Sequence, residues 1–425
     1  MHFHFRSDQD LATRLDRDDP LAQFRSRFLI PDPGMIYLDG NSLGRLPLAT
    51  MNRLQDVVEL EWGHELVTGW GKNWWEAPTR VGEKIAPLIG AGPGQVIACD
   101  SVSVNLFKLV VAALSLRPER GKIVSDTLNF PSDLYILQGL IRLLGDHHEI
   151  VRIGSKDGDI TPDLYALASA IDQNTALVTL SHVVFKSGYL YDMAAITEMA
   201  HRQGALILWD LSHSVGALPI SLDAHQVDFA IGCTYKYLNG GPGSPAFLYV
   251  RRDLQNRVLS PITGWWGQRA PFDLELDYHP AGGIARFLTG TQPVLSLLAM
   301  EESLSLTIEA GLENIRRKSV QMTEYYIYLF DTLLAPHGFT LGSPRLSDQR
   351  GSHISICHPE GYRINRALID EMNVIPDFRH PDNIRLGFSP LYTTYAEIWE
   401  AVRRIRVVLE EKLYLKYSSA RQVVT

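Results

Sequence analysis

Short, near-continuous apolar runs separated by helical patterns occupy the middle of the chain, and this feature limits the fold more than any other. Lys122–Ser125 (KIVS), Thr175–Ser181 (TALVTLS), Ala205–Asp210 (ALILWD), Val227–Gly232 (VDFAIG) and Ala246–Val250 (AFLYV) read as strands. Phe130–Leu144 and Met193–Gln203 read as helices between them. A strand with one wet face alternates apolar and polar residues, whereas a strand covered by helices on both faces stays apolar throughout. The pattern predicts an α/β fold whose large domain holds a mainly parallel sheet flanked by helices. Towards the C-terminus the pattern changes. A long helical stretch from Pro293 to Leu334 precedes short strands at His353–Cys357 and Asn383–Phe388 and a closing helix at Ala396–Lys412. That shift predicts a smaller C-terminal α+β domain. The expected division is an N-terminal arm at 1–50 packing with the small domain, a large domain at 51–300 and the small domain at 301–425.

Composition narrows the functional classes. The 425 residues are enough for two or three compact units with a sizeable core. Forty Lys+Arg against 48 Asp+Glu leave a net charge of −8, which argues against a broad basic nucleic-acid face. Three widely spaced cysteines, Cys99, Cys233 and Cys357, form no disulfide framework and suit a reducing compartment. The N-terminal MHFHFRSDQDLATRLDRDD has no apolar signal core. Leu106 to Leu116, the most apolar segment, is too short to span a bilayer and carries Lys108. A soluble cytoplasmic enzyme is the expectation.

Several motifs carry less than they first promise. Gly40-Asn41-Ser42-Leu43-Gly44 matches the G-x-S-x-G nucleophile elbow, but the elbow needs a sheet and an oxyanion loop upstream, and only some forty mostly polar residues precede it. A glycine turn that lets backbone approach a ligand or a neighbouring subunit is the better reading. Gly90-Ala91-Gly92-Pro93-Gly94 has the wrong spacing for a dinucleotide loop, and no phosphate-binding G-x-x-x-x-G-K-[ST] occurs. His147-His148 and the pair His2 and His4 lack metal-ligand partners at useful spacing.

The informative constellation begins where ALILWD ends in Asp210, followed by Leu211-Ser212-His213-Ser214. A carboxylate at the end of a buried strand is costly without a cationic or hydrogen-bonding partner. A second apolar strand then runs into Cys233-Thr234-Tyr235-Lys236-Tyr237, and a glycine-rich loop follows. A lone lysine in this setting, at the carboxyl end of a parallel sheet, fits a Schiff-base lysine. Pyridoxal 5′-phosphate (PLP) needs such an amine and a carboxylate opposite its pyridine nitrogen, and Lys236 and Asp210 meet both needs. His213 fits a hydrogen bond either to Asp210 or to the cofactor's ring oxygen. The phosphate needs an anion seat, and Asp100-Ser101-Val102-Ser103-Val104-Asn105 opens a helical pattern whose free N–H groups would serve. Phe130 is the candidate for stacking on the ring, and by itself reads equally well as core.

With these residues in view, the chain resembles the kynureninase family of PLP fold type I enzymes, in the aminotransferase class V group. The likeness runs from about Leu29 to Lys412. It is carried by YLDGNSLG at 37–44, NLFK at 105–108, NFPSDLY at 129–135, WDLSHSVGALP at 209–219 and DFAIGCTYKYLNGGPGS at 228–244. GWWG at 264–267, GTQP at 290–293 and RGSHISICHPEG at 350–361 complete the set. The resemblance implies that Lys236 is the Schiff-base lysine, Asp210 the pyridinium partner and Phe130 the stacking ring. It implies phosphate contacts from Val102, Ser103 and Tyr235, with Asp133, Ser181 and His213 completing the cofactor shell. The family usually has a hydroxyl residue where Val102 stands, so a backbone N–H would make that contact here. Trp265 and Thr291 would reach the cofactor from the other subunit of a homodimer. Arg385 would clamp the substrate α-carboxylate, a task suited to a bidentate guanidinium. Lys186, in HVVFKSG, sits near these contacts without a derivable role.

The implied reaction is hydrolysis of L-kynurenine to anthranilate and L-alanine in tryptophan catabolism. Lys236 would act as general base at Cα, and Tyr235 as the acid that protonates Cβ. Trp70 and Thr291 resemble the pair found in members that favour kynurenine over its 3-hydroxy form. The alternative within PLP chemistry is a cysteine desulfurase or selenocysteine lyase. The former needs a mobile-loop cysteine, and Cys357 sits instead in a strand-like SHISICHPEG. A serine hydrolase and a PLP-binding regulator are further alternatives. No DNA-binding segment supports the regulator.

Overall fold

A computed structural model describes residues 5–145 and 147–420. The His2 and His4 pair lies outside them. In chain order the strands are β1 (Ile36–Tyr37), β2 (Val96–Ala98), β3 (Lys122–Asp126), β4 (Glu149–Ile153), β5 (Thr175–Ser181), β6 (Leu206–Asp210), β7 (Phe229–Gly232) and β8 (Phe247–Val250). After them come β9 (Thr340–Leu341), β10 (His353–Cys357), β11 (Val374–Ile375), β12 (Asp377–Arg379) and β13 (Asn383–Gly387). The central sheet has the order β2-β8-β7-β6-β5-β3-β4. Neighbours from β4 through β7 pair in parallel, and β8 runs antiparallel to both β7 and β2.

The sheet explains its own sequence. Val178, Leu180, Ile207, Trp209, Ala230 and Tyr249 join one apolar core. Their neighbours Leu177, Leu206, Leu208, Phe229, Ile231 and Leu248 join a second core on the opposite face. Alternate residues thus point to opposite faces, and both faces are dry, so the strands read as continuous apolar runs. Helices Val102–Ser115 and Pro131–Leu143 supply Leu106, Leu109, Val110, Leu137 and Leu140 to the second core. Helices Ala77–Ile85 and Met193–Arg202 cover the first.

The C-terminal part builds a four-stranded antiparallel sheet, β12-β13-β10-β9, with its own apolar core. Leu11, Ala12, Ile36 and Leu38 of the N-terminal arm enter that core, and β1 pairs in parallel with β11. The long helical stretch expected from Pro293 to Leu334 is two helices, Val294–Ala310 and Leu312–Leu329, followed by a wider turn at Phe330–Leu334. Gly311 separates them with φ of +75°, a conformation that glycine adopts without steric cost. Among the described residues no helix is long and apolar enough to cross a membrane, and no group of three or more His, Cys, Asp or Glu could hold a metal.

Two glycine motifs find structural explanations. Gly92 N donates to Asp223 Oδ2 at 2.9 Å and Gly94 N to Glu83 Oε1 at 2.7 Å, so the 90–94 turn spends its amides on the chain's own carboxylates. In the G-x-S-x-G segment, Gly44 N donates to the Tyr235 carbonyl at 2.7 Å. A Cβ at Gly44 would collide with Asn239 and with the Lys236 carbonyl. The glycine lets the arm lie directly on the lysine loop.

Candidate active site

The carboxyl ends of β6 and β7 open onto a cavity of about 390 Å³. Val102, Ser103, Phe130, Asp133, Asp210, His213, Tyr235, Lys236 and Arg385, all singled out in the sequence, line it. Asp210 ends β6, is only 6% exposed, and pairs in register with Ser181 of β5. Its Oδ1 accepts from Ser212 N at 2.8 Å and Ser212 Oγ at 2.6 Å. Its Oδ2 has no partner among the described residues. A buried carboxylate held by one oxygen, with the other left to a cavity, fits a protonated heterocyclic nitrogen.

Lys236 follows β7 and places its Nζ 2.9 Å from His213 Nε2. Burial, with help from Lys236 and Arg385, pushes the His213 imidazole well below its ordinary pKa, so the ring is neutral. The sequence left open whether His213 turns to Asp210; in the structure it turns to the lysine. Burial raises the Asp210 carboxyl above the usual range. Asp133 is raised well above it, first by burial and then by Asp210. The neighbouring Cys233 and burial push the Tyr235 phenol upward, so it holds its proton at neutral pH.

Two helix N-termini meet at one wall. Ser101 caps helix Val102–Ser115 by accepting from Val104 N, and Ser103 Oγ lies 3.2 Å from Ser132 Oγ in the first turn of helix Pro131–Leu143. Val102, Ser103, Ser132 and Ser244 all border the cavity there. Hydroxyls and unspent N–H groups at paired helix starts form an anion seat, and Val102 sits where a backbone contact is available. Phe130, 42% exposed, stands beside this seat with Phe185 edge-on at 5.2 Å. The donor set therefore fits PLP: an amine, a buried acid, an aromatic ring and a phosphate seat.

Ser181 does not line the cavity. Its hydroxyl donates to Asn129 Oδ1 at 2.6 Å, the oxygen that also accepts from Phe130 N. Trp265, Thr291 and Trp70 are also absent from this chain's own cavity. Trp265 is 41% exposed and packs on Trp75 and Trp266, while Trp70 lies edge-on to Trp74 and Trp266. Lys186 faces Asp159 at 3.4 Å, and its carbonyl accepts from Ser355 Oγ, which fastens its loop to β10. The sequence reading passed over Ser212, Ser132, Asp377 and Arg379. Ser212 had a legible signal, since it stands two residues after the strand-ending acid.

Competing chemistries lack their parts. Ser42 Oγ accepts from Arg385 at 2.7 Å, and no histidine among the described residues hydrogen-bonds to it. Cys357 sits within β10, its thiol pushed up to about 11 by burial and held by Asn383. Cys233 borders the cavity, but it is buried and its thiol is also raised by burial. Neither is a mobile thiolate.

Comparisons with known proteins place this arrangement in a class. The fold superposes on the apo cysteine desulfurase of Thermococcus onnurineus NA1 with a TM-score of 0.76 at 18% identity, covering 96% of this chain and 100% of that one. It superposes on the cysteine desulfurase CsdA of Escherichia coli at 0.78 and 17% identity, covering 92% and 98%. The C-terminal domain model of kynureninase matches residues 315–405. The kynureninase of Pseudomonas fluorescens is 45% identical over 405 residues, 94% of this chain and 95% of that one. That of Burkholderia pseudomallei strain 1106a is 45% identical over 408 residues, 95% and 96%. The chain belongs to the kynureninase family.

Proposed function

We propose that this chain hydrolyses L-kynurenine to anthranilate and L-alanine, using PLP carried on Lys236. One observation supports the reading above the others: Lys236, Asp210 and Arg385 come from three separate strand ends or strands, yet open on one cavity. Asp210 would hold the pyridine nitrogen protonated, Phe130 would cover the ring, and Ser103, Ser132 and the amide of Val102 would seat the phosphate. Tyr235 would also contact the phosphate, with Asp133 and, through Asn129, Ser181 supporting the cofactor's surroundings. Bound there, PLP supplies an electron sink for negative charge developing at the substrate's Cα.

The chain's own groups then divide the work. Arg385 takes the α-carboxylate, which fixes the amino acid end of the substrate. The Lys236 amine, with neutral His213 at 2.9 Å, removes the Cα proton. Water adds to the γ-carbonyl carbon and the Cβ–Cγ bond breaks, releasing the aryl end as anthranilate, while Tyr235, which holds a proton at neutral pH, delivers it to Cβ. We assign the assembly as a cytoplasmic homodimer in which Trp265 and Thr291 of each copy complete the other's site. Trp70 packs on Trp266, which touches Trp265, so it would shape the aryl pocket from the same direction and favour kynurenine over 3-hydroxykynurenine.

The test is anthranilate fluorescence after L-kynurenine is added to PLP-loaded protein. Lys236→Ala should lower the rate by at least about 10²–10⁴-fold. The specificity constant should be higher for kynurenine than for its 3-hydroxy form. A Lys236→Ala variant with wild-type turnover would refute the assignment, and a preference for the 3-hydroxy substrate would refute the role of Trp70.

A further inference from the structure

The carboxylate clamp is already engaged before any substrate arrives. Arg385 is 1% exposed, and its NH1 donates to the Phe185 carbonyl at 2.7 Å. Its NH2 donates to Ser42 Oγ at 2.7 Å and to Asp377 Oδ2. Asp377 lies directly opposite Arg385 in the antiparallel pairing of β12 and β13. Two residues further along β12, hence on the same face, Arg379 NH2 reaches the same Asp377 oxygen at 2.8 Å. One carboxylate thus bridges two guanidiniums. Arg379 borders the cavity with its side chain 36% exposed, and its Nε is buried without a hydrogen-bond partner among the described residues.

A substrate carboxylate binding Arg385 through two parallel N–H bonds must take donors that Asp377 or Ser42 now holds. Asp377 is buried, and a buried carboxylate stripped of its cation is strongly unfavourable. We infer that Arg379 is a positioning residue that keeps Asp377 paired when the substrate carboxylate displaces it from Arg385. The inference rests on Arg385 being the substrate clamp. The charge balance supports it. Asp39 lies against the same cluster, and burial together with Asp377 pushes its carboxyl up to about 6. Two acids already match two guanidiniums there, so when an arriving third carboxylate takes Arg385, Asp377 depends on the ion pair it already makes with Arg379. Without Arg379, Asp377 would keep Arg385 as its cation and would compete with the substrate for it.

Steady-state kinetics with L-kynurenine, and calorimetric binding of 3-benzoylpropionate (the aryl keto acid without the α-amine), test this. Arg379→Gln should raise KM and the analogue's Kd by roughly 10–100-fold, with kcat changed far less. Adding Asp377→Asn to Arg379→Gln should restore most of both, because the neutral amide no longer competes for Arg385. Arg379→Lys should fall between wild type and Arg379→Gln. Unchanged KM and Kd in Arg379→Gln would overturn the inference. So would a double variant no better than the single one, since Arg379 would then contact substrate directly. Failure of the wild-type protein to release anthranilate would instead refute the functional reading, a separately visible outcome.

Discussion

Buried carboxyls set much of this molecule's chemistry one residue at a time. Asp126 ends β3 at 1% exposure, accepts from the Tyr191 hydroxyl, and is pushed up to about 6 by burial. A carboxyl whose folded pKa lies above its unfolded value makes the native state bind the extra proton, so stability falls as pH rises from about 4 through 6. Moving the titration from about 4 to about 6 makes that loss roughly 3 kcal/mol. Asp126→Asn keeps an acceptor for Tyr191 and removes the titration. Its thermal midpoint should therefore decline less than the wild type's between pH 4.5 and 7.5; an identical decline would show that Asp126 is not the titrating group. At this scale the sequence was informative wherever chemistry is local to a strand end, as at Asp210 and Lys236. It was silent on Asp377 and Arg379, because their partnership with Arg385 depends on the register between β12 and β13, and no spacing along the chain encodes that.

Among elements, the segment around Gly44 couples the arm to the lysine loop. The Gly44 amide donates to the Tyr235 carbonyl, and the space a Cβ would need is filled by Asn239 and backbone of Lys236. Gly44→Ala must push the arm off the loop, which should cost on the order of 1–3 kcal/mol and weaken PLP retention. Thermal denaturation and absorbance of bound PLP measure the two effects. Wild-type values for both would show that the contact is dispensable. The strands of the central sheet were legible because both faces are dry, so apolarity is unbroken in β5 to β8. Edge strands β2 and β4 were not: β2 is only the three residues Val96–Ala98, and in β4 Glu149 and Arg152 are exposed so that its short run resembles a loop. The break at Gly311 was also missed, as apolar periodicity continues on either side and only the positive φ of one glycine divides the helices.

The whole molecule presents an apolar surface that a partner subunit would cover. Trp265, Phe272, Leu274 and Leu276 present large apolar side chains to solvent near the GWWG segment, the kind of surface an isolated subunit rarely leaves bare. In a twofold homodimer the same patch appears on both copies and can close both sites. Lys236→Ala and Trp265→Ala should each be inactive alone. Mixed under conditions that exchange subunits, they should regain roughly a quarter of wild-type activity, because half the dimers then hold one intact site. No recovery would place Trp265 outside the partner's site. More basic than the assembly is the point at which the cofactor is attached. Borohydride reduction of the PLP-loaded protein followed by peptide mapping measures it directly. A pyridoxyl group on Lys236 alone is the expected result; a label on Lys186, on any other lysine, or on none would contradict the account.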